Sequence, residues 1–344
     1  MKALVCHQWC DFNDLAIEDF PDPPLTPEGV RIGIHYASVS FATTLWVAGK
    51  YQRKPPLPFV PGTEVAGVVL ECGSKVTRCK PGDRVVALLD WGGFAQQVVC
   101  PDITVYRAPD GLELHRAIYL PNSYGTASAA LRWRAKLAAG ETLLVHAAAG
   151  AVGLAAVEIG KVLGATVIAT ASTEEKLQVA KHHGADFALL SRAEDLPRRV
   201  KERTGGHGAD VIFDPVGGDL FDASLRCINI EGRLLTIGYA GGRIPSAPAN
   251  LLLVKNASAM GFNYGTYLGW GLTDERLRYA AKVQQNVADL FDWCQAGKLH
   301  PRISHVFPFQ QYREAMATVV ERRALGKVIL NIAGTEAVRL EAAA

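Results

Sequence analysis

An apolar strand that runs directly into a turn of small residues constrains this fold more than any other feature of the sequence. The segment reads Thr142-Leu-Leu-Val-His-Ala-Ala-Ala-Gly-Ala-Val-Gly153, and a helix-forming stretch follows it. Small residues at Ala148, Gly150 and Gly153 allow a tight turn, close approach of backbone N–H groups to a pyrophosphate, and close packing of the helix on the sheet. The alternative is a tight turn in an α/β sheet that binds no ligand. The context favours a dinucleotide site, with predicted contacts at Ala149, Gly150, Ala151, Val152 and Gly153.

Hydrophobic periodicity divides the chain into a β-rich first part and an α/β second part. Up to about residue 120, short β-branched runs are separated by Pro and Gly turns such as Pro61-Gly62, which predicts a barrel-like unit. After about Pro121, apolar strands alternate with amphipathic helices, a pattern typical of a parallel sheet with crossovers. The predicted strands of this part are 142–147, 166–171, 211–213 and 233–237, and its predicted helices are 152–163, 174–183 and 196–204. A further helix at 309–321 precedes a last strand at 327–332, which we expect to return to the first domain.

Length and composition support two globular domains and exclude several classes of partner. A chain of 344 residues exceeds one ordinary core, and 49% hydrophobic residues can fill two. The formal net charge of +2 gives no global basic field, so we expect no nucleic-acid partner. The apolar stretches are broken before the roughly 20 residues that a membrane span needs. The first residues lack the sustained apolar core of a secretory signal, so we expect a cytoplasmic protein without a membrane partner.

The cysteines predict neither a disulfide framework nor a metal cluster. There are seven of them, an odd number, and none forms a CxxC pair. Tight thiolate sites usually place two ligands within a few residues. We therefore interpret the cysteines as reduced packing residues.

The residues after the second strand of the nucleotide unit indicate which dinucleotide is preferred. An acid at this strand end would hydrogen-bond the ribose hydroxyls of NAD, but the chain reads Thr170-Ala-Ser-Thr-Glu-Glu-Lys176. Ser172 can hydrogen-bond a 2′-phosphate and Lys176 can neutralise it, which favours NADPH. The alternative is that Ser172 caps the next helix and Lys176 is solvated, since Ser-Thr-Glu-Glu also makes a good helix start. Both roles can coexist.

Seven motifs, taken together and in order, make the chain similar to a known family. They are Pro61-Gly-Thr-Glu-Val-Ala-Gly67, Pro81-Gly-Asp-Arg-Val85, Gly92-Gly-Phe-Ala95, Tyr124-Gly-Thr126, His146-Ala-Ala-Ala-Gly-Ala-Val-Gly153, Asp214-Pro-Val-Gly217 and Gly326-Lys-Val-Ile-Leu330. With them the chain resembles the quinone oxidoreductase branch of the medium-chain dehydrogenase/reductase superfamily over nearly its whole length. The resemblance implies an α/β fold and a homodimer. It implies a GroES-like β-barrel catalytic domain at 1–120, to which 300–344 return, and a Rossmann doubly wound parallel-sheet domain that binds NADPH at 121–299.

One position bears on the zinc chemistry of this superfamily. Zinc-dependent relatives carry a His where this chain has Thr63, and a Thr hydroxyl is a poor zinc ligand. Their four-cysteine zinc lobe is also missing, because Asp90-Trp-Gly-Gly93 leads directly to the next strand. We therefore predict no metal. Alcohol oxidation would lack its Lewis acid, whereas a quinone or an α,β-unsaturated carbonyl is already electrophilic.

The resemblance also assigns candidate residues at the substrate. Tyr51 is the candidate catalytic residue, as proton donor or as a group that orients the substrate ring, and the alternative is an aromatic on the barrel surface. Ser40 is a candidate substrate contact beside it. Water is the other possible proton source.

Further residues are expected to contact the cofactor. By the resemblance, the nicotinamide end is assigned to Gly238, Tyr239, Phe262 and Tyr264. Ser123 and Val216 are also expected to bind the cofactor. For Tyr264 the alternative is simple packing. The adenosine phosphate end is assigned to Ser191, Arg192 and Arg323, with Lys327 as a second choice to Arg323. Both of these last residues are equally compatible with solvated surface charge.

Three departures from the family pattern affect these assignments. Ser40 stands where Asn is typical and Thr43 where Asp is common, so the substrate mouth has shorter and different hydrogen-bonding groups. Ser191 replaces a common Tyr, with Arg192 beside it as a possible compensation. Ala151 replaces a Gly and is tolerable only if its φ is negative.

The leading functional hypothesis is an NADPH-dependent quinone reductase that works without zinc. A closely related alternative is reduction of enals, enones or enoyl thioesters. A hypothesis of another class is a non-catalytic NADPH-binding protein.

Overall fold

The computed structural model describes residues 1–334. These residues divide into two compact units. The first comprises Met1–Asn122, Gly265–Gln295 and residues 301–334, and the second comprises Ser123–Tyr264 and Ala296–His300. Gly265–Gln295 thus joins the first unit, although the sequence analysis assigned it to the nucleotide-binding domain. Among residues 1–334, none of the helices combines the length and the apolar character needed to cross a bilayer.

The strands and helices are numbered here in chain order. The strands are β1 (Lys2–Val5), β2 (Ala16–Asp19), β3 (Gly29–Val39), β4 (Glu64–Cys72), β5 (Arg84–Leu88), β6 (Gln97–Pro101), β7 (Val105–Arg107), β8 (Thr142–Val145), β9 (Thr166–Ala171), β10 (Phe187–Leu190), β11 (Ala209–Asp214), β12 (Ile228–Thr236), β13 (Ser258–Gly261), β14 (Ile303–Pro308) and β15 (Lys327–Asn331). The α-helices are α1 (Phe41–Val47), α2 (Leu114–Ala117), α3 (Gly125–Ala129), α4 (Ala151–Val162), α5 (Glu174–His182), α6 (Leu196–Arg203), α7 (Gly218–Cys227), α8 (Ala249–Lys255), α9 (Arg276–Gln295) and α10 (Tyr312–Val320).

The first unit is built around the long strand β3. Its alternating Val30, Ile32 and Ile34 are buried, as expected for a strand with one face on a core. The main sheet has the order β14-β15-β3-β4-β5-β7, and β6 also pairs with β3. The late strand β15 lies antiparallel to β3, with Val328 opposite Val39. Residues from both ends of the sequence therefore complete one hydrophobic core.

The second unit contains a parallel sheet with the order β10-β9-β8-β11-β12-β13. The order reverses between β8, the first strand of the unit, and β11, the fourth. This is the doubly wound arrangement, in which ligands bind outside the carboxyl ends of the strands at the reversal. The predicted nucleotide turn leaves β8 at this point, because Val145 pairs with Phe213 and His146 N–H donates to the Phe213 carbonyl at 3.0 Å.

Candidate functional site: a dinucleotide turn and an aromatic cluster

The turn after β8 is held by backbone hydrogen bonds at both of its ends. Ala148 N–H donates to the Thr170 carbonyl at 2.9 Å, which ties the turn to the neighbouring strand β9. Gly150 N–H donates to the Ala147 carbonyl at 2.9 Å, and Gly150 is the residue before the first turn of α4. The N–H groups in the first turn of a helix have no backbone carbonyl acceptor within the helix, so they bind anions readily. The turn therefore leaves the N–H groups at the start of α4 able to bind a phosphate.

Gly153 is required by packing, and Ala147 has an unusual backbone conformation. A Cβ atom on Gly153 would lie 2.2 Å from the carbonyl oxygen of Ala147, which is backbone and cannot move aside. Ala147 itself has a φ of 48°, in the left-handed region that few non-glycine residues adopt. Ala151 is not among the residues with positive φ, so the condition set for it is met. The unusual backbone position is thus Ala147, which sequence reasoning did not single out.

The end of β9 brings Ser172 and Lys176 together. Lys176 Nζ lies 3.4 Å from Ser172 Oγ, so one hydroxyl and one ammonium group face the same place. The helix cap that was considered for Ser172 belongs instead to Thr173, whose side chain accepts from Lys176 N–H at 3.3 Å. The capping alternative is therefore wrong for Ser172.

Ser191 and Arg192 lie beside this pair, across the strand ladder. Leu190 of β10 is opposite Ala171 of β9, and Ser191 N–H donates to the Ala171 carbonyl at 2.9 Å. Ser191 is half-buried and Arg192 is exposed. The residues assigned to an adenosine phosphate from the second unit thus follow two adjacent strand ends.

The loops that follow β11 and β12 are joined to each other. Asp214 is fully buried, and its Oδ1 accepts from Val216 N–H at 2.8 Å and from Gly217 N–H at 2.9 Å. Gly241 N–H donates to the Val216 carbonyl at 2.9 Å. The Val216 backbone is therefore fixed from two sides. Among the other residues assigned here, Gly238 is half-buried and Tyr239 is exposed.

Phe262, Tyr264 and Ser123 are all buried within the second unit. Phe262 N–H continues the ladder by donating to the Thr236 carbonyl at 3.0 Å. The Tyr264 ring packs so closely on Gly125 that a Cβ there would lie 2.9 Å from a ring carbon. Tyr264 thus has the packing role considered for it, and cofactor contacts of these residues stay predictions.

His146 belongs to a buried polar network below the turn. Its Nε2 lies 2.7 Å from Ser224 Oγ, and that hydroxyl donates to the Leu220 carbonyl at 2.6 Å. Its Nδ1 lies 2.8 Å from Thr170 Oγ1. Burial lowers the pKa of His146, and the Asp214 carboxylate opposes this effect only in part. The ring is therefore a neutral structural group at neutral pH.

In the first unit, Ser40 and Thr43 bond to each other. Ser40 is the residue before α1, where its Oγ accepts from Thr43 N–H at 3.3 Å and lies 3.1 Å from Thr43 Oγ1. The two departures from the family pattern thus form one helix cap. A substrate role for Ser40 stays a prediction.

Tyr51 is part of an aromatic cluster in the first unit. Its ring meets that of Trp46 edge to face at a centroid distance of 5.3 Å, and Trp46 meets Trp270 in the same way at 6.5 Å. Tyr51 is half-buried, and burial raises the pKa of its phenol, an effect that a hydrogen bond to Gln52 offsets in part. The phenol therefore keeps its proton at neutral pH.

A buried ion pair lies next to the position where zinc-dependent relatives carry a His. Lys327 Nζ is 2.9 and 3.1 Å from the two carboxylate oxygens of Glu64, and Asn122 Nδ2 donates to Glu64 at 2.7 Å. Thr63, one residue earlier, is buried. Lys327 is thus committed to Glu64, and the suggestion that it reaches an adenosine phosphate is wrong. Arg323 pairs with Glu314 and Glu321, which supports its alternative as a surface charge.

Two family models and many known proteins match this chain. The alcohol dehydrogenase GroES-like domain matches residues 26–110, and the zinc-binding dehydrogenase model matches residues 151–283. Quinone oxidoreductase-like protein 2 of Rattus norvegicus is 40% identical over 332 residues, covering 96% of this chain and 92% of the relative. The chain belongs to the quinone oxidoreductase branch of the medium-chain dehydrogenase/reductase superfamily. The resemblance drawn from the seven motifs is confirmed.

Proteins that are themselves named quinone oxidoreductase support the same family assignment. Quinone oxidoreductase of Homo sapiens is 31% identical over 303 residues, covering 88% of each chain. The quinone oxidoreductase of Thermus thermophilus, solved also as its NADPH complex, superposes with a TM-score of 0.80 at 31% identity, covering 96% of this chain and 100% of that one. The predicted fold class, a GroES-like domain with a Rossmann domain, is confirmed. Within residues 1–334, no group of three or more His, Cys, Asp or Glu is arranged to hold a metal ion.

Proposed function

We propose that this oxidoreductase is an NADPH-dependent reductase that transfers a hydride to a quinone without zinc. The observation that carries the proposal is the strand-turn-helix at Ala147–Gly153 with Ser172 and Lys176 at the end of the next strand. A hydroxyl and an ammonium group suit a 2′-phosphate, whereas NAD would favour an acid there. The solved relative from Thermus thermophilus, which binds NADPH, supports this choice.

The residues present fit such a cofactor. A Cβ on residue 153 would clash with the Ala147 carbonyl. Gly153 therefore lets the turn and the start of α4 pack close together. The first turn of α4 would bind the pyrophosphate, Ser172 and Lys176 the 2′-phosphate, and the fixed Val216 loop the nicotinamide end. When bound, NADPH supplies the hydride.

The protein must then supply orientation and a proton. Tyr51 is the proposed donor, from its phenol oxygen, and its raised pKa keeps that proton in place through the neutral range. The rings of Trp46 and Tyr51 meet at a centroid distance of 5.3 Å, and this packing restricts the rotation of Tyr51. Positioning of an acceptor that is already electrophilic is the main contribution we assign to the site.

Zinc independence is supported by the residues around Thr63. A hydroxyl replaces the imidazole ligand, and the carboxylate of Glu64 is already neutralised by the ammonium of Lys327. We also propose a cytoplasmic location and a homodimer.

A steady-state screen tests the proposal. NADPH and NADH are each offered with ortho-quinones, para-quinones, enals and enones, before and after dialysis against a chelator. We expect NADPH oxidation with quinones that survives chelation. Turnover of enals and enones alone would replace the quinone with that alternative acceptor class. Tight NADPH binding without turnover of any acceptor would overturn the reductase proposal in favour of a cofactor-binding protein.

A further inference from the structure

Two arginines from distant parts of the first unit meet at Asp90, which follows β5. Arg53 Nη1 donates to Asp90 Oδ1 at 2.7 Å. Arg276 Nη2 donates to both Asp90 oxygens, at 2.7 and 2.9 Å. Arg53 is two residues from Tyr51, and Arg276 begins α9. One carboxylate thus joins the Tyr51 loop to a segment more than 180 residues away in sequence.

This cluster is partly desolvated and close to neutral. The Arg276 side chain is only 12% exposed, and the Asp90 and Arg53 side chains are 29% and 28% exposed. Asp274 accepts from Arg276 Nε at 2.9 Å, so two carboxylates balance two guanidinium groups. Charge-assisted bonds with this geometry fix orientation more strongly than single surface ion pairs do.

The same cluster holds the backbone at Gly269. The Gly269 carbonyl accepts from Arg53 Nη1 at 3.0 Å. A Cβ at this position would lie 2.5 Å from Arg276 Nε, and the φ of Gly269 is +84°. The positive φ of Gly269 therefore favours glycine, and the Arg276 guanidinium packs where a side chain would stand. Trp270 follows directly in sequence, and its N–H donates to the Gly265 carbonyl at 2.8 Å.

The aromatic contacts and the Asp90 ion pairs both act on the segment that contains Tyr51. Trp270 meets Trp46 edge to face, and Trp46 meets Tyr51 in the same way. From the other side, Arg53 anchors the chain just after Tyr51 to Asp90. The ring of Tyr51 is thus constrained by aromatic contacts and its backbone by an ionic anchor.

We propose that Asp90 is a positioning residue for the reaction, which acts through Arg53 and Arg276 to hold Tyr51 in its productive orientation. This inference rests on the proposed function. Asp90 is assigned no contact with the substrate itself. Misplacement of a reacting group by about 1 Å can cost up to about a hundredfold in rate, so loss of the anchor has a measurable effect.

The test is a double-mutant cycle of Asp90→Asn with Tyr51→Phe. Asp90→Asn keeps the size of the side chain but removes the charge that both guanidinium groups share. We expect kcat with the best quinone to fall at least about tenfold, with the Kd for NADPH within about twofold of wild type. In the Tyr51→Phe background the same substitution should change kcat by less than about twofold. Equal losses in both backgrounds would overturn the proposal.

A second readout does not depend on turnover. Nitration of Tyr51 by tetranitromethane, followed by mass spectrometry of its peptide, reports how firmly the ring is held. We expect Asp90→Asn to speed nitration at Tyr51 at least about threefold, whereas Asp19→Asn, which removes an exposed partner of Lys2 in the same unit, should leave it unchanged. An unchanged rate in Asp90→Asn would overturn the positioning role.

Arg53→Lys serves if Asp90→Asn does not fold, because it keeps the charge but shortens the side chain whose Nη1 donates to both Asp90 and Gly269. The same nitration and kinetic outcomes apply to it. If the wild-type protein reduces no acceptor, the proposed function fails by itself. The nitration rates then still decide whether Asp90 holds Tyr51.

Discussion

Lys327 Nζ lies 2.9 Å from Glu64 Oε2, and the two side chains are 2% and 1% exposed. Removing one partner of such a buried pair leaves an uncompensated charge, which costs about 3–5 kcal/mol. We expect Lys327→Met to lower the free energy of unfolding by this amount. The double variant Glu64→Gln/Lys327→Met should recover most of the loss. Urea unfolding followed by tryptophan fluorescence measures both, and a double variant no more stable than Lys327→Met would contradict the assignment.

The turn after β8 predicts that two neighbouring glycines differ in their tolerance of a methyl group. A Cβ on Gly153 would lie 2.2 Å from the Ala147 carbonyl oxygen, whereas one on Gly150 would lie 3.3 Å from the same atom. Gly153→Ala should therefore lower Tm by several degrees or prevent folding, and Gly150→Ala should lower it little. Thermal melts without cofactor isolate this effect from binding. Equal Tm losses in the two variants would show that the turn is built differently.

Lys176 should decide the choice between the two nicotinamide cofactors. Lys176→Ala removes the ammonium group that lies 3.4 Å from Ser172 Oγ. We expect the Kd for NADPH to rise at least about tenfold and that for NADH to change less than about twofold, because only NADPH carries the 2′-phosphate. Lys181→Ala, an exposed residue on the same helix α5, is the matched control. A parallel loss of both cofactors in Lys176→Ala would count against this site.

His146 should make stability depend on pH on the acid side. Burial lowers its pKa from the usual value of about 6.5, so below that pH the unfolded chain binds a proton that the folded protein does not. The contribution is therefore fully present above about pH 6.5 and is lost as the pH falls toward the folded-state pKa. We expect His146→Gln to flatten the pH dependence of unfolding by at most about 1.4 kcal/mol per pH unit. Urea unfolding followed on both sides of that pH measures this, and an unchanged pH dependence in His146→Gln would contradict the assignment.

Much of the fold could be predicted from hydrophobic patterning alone. The strand Thr166–Ala171 begins and ends where the sequence placed it, because a short β-branched run is bounded there by turn residues. Helix α9 was not predicted, although its buried Val283, Val287, Leu290 and Phe291 recur at helical spacing. That signal was available and would have identified the longest helix of the described residues.

The site was predictable where it depends on neighbours in sequence and not where it depends on distant ones. The contact of Ser172 with Lys176 follows from one helical turn, and it was anticipated. The left-handed Ala147 was not, because alanine gives no signal of positive φ. Lys327 was misassigned because its partner Glu64 lies 263 positions away, and Asp90 was overlooked as an anchor for the same reason.

The pairing of β15 with β3 also sets an order of assembly during synthesis. A ribosome that has released residues up to Gly261 has delivered all strands of the parallel sheet, but β3 still lacks the neighbour that supplies Val328 and Leu330. The nucleotide-binding sheet can therefore form while the chain is growing. The barrel-like unit has to wait for nearly the last residues, and until then an unpaired edge of β3 is open to other chains.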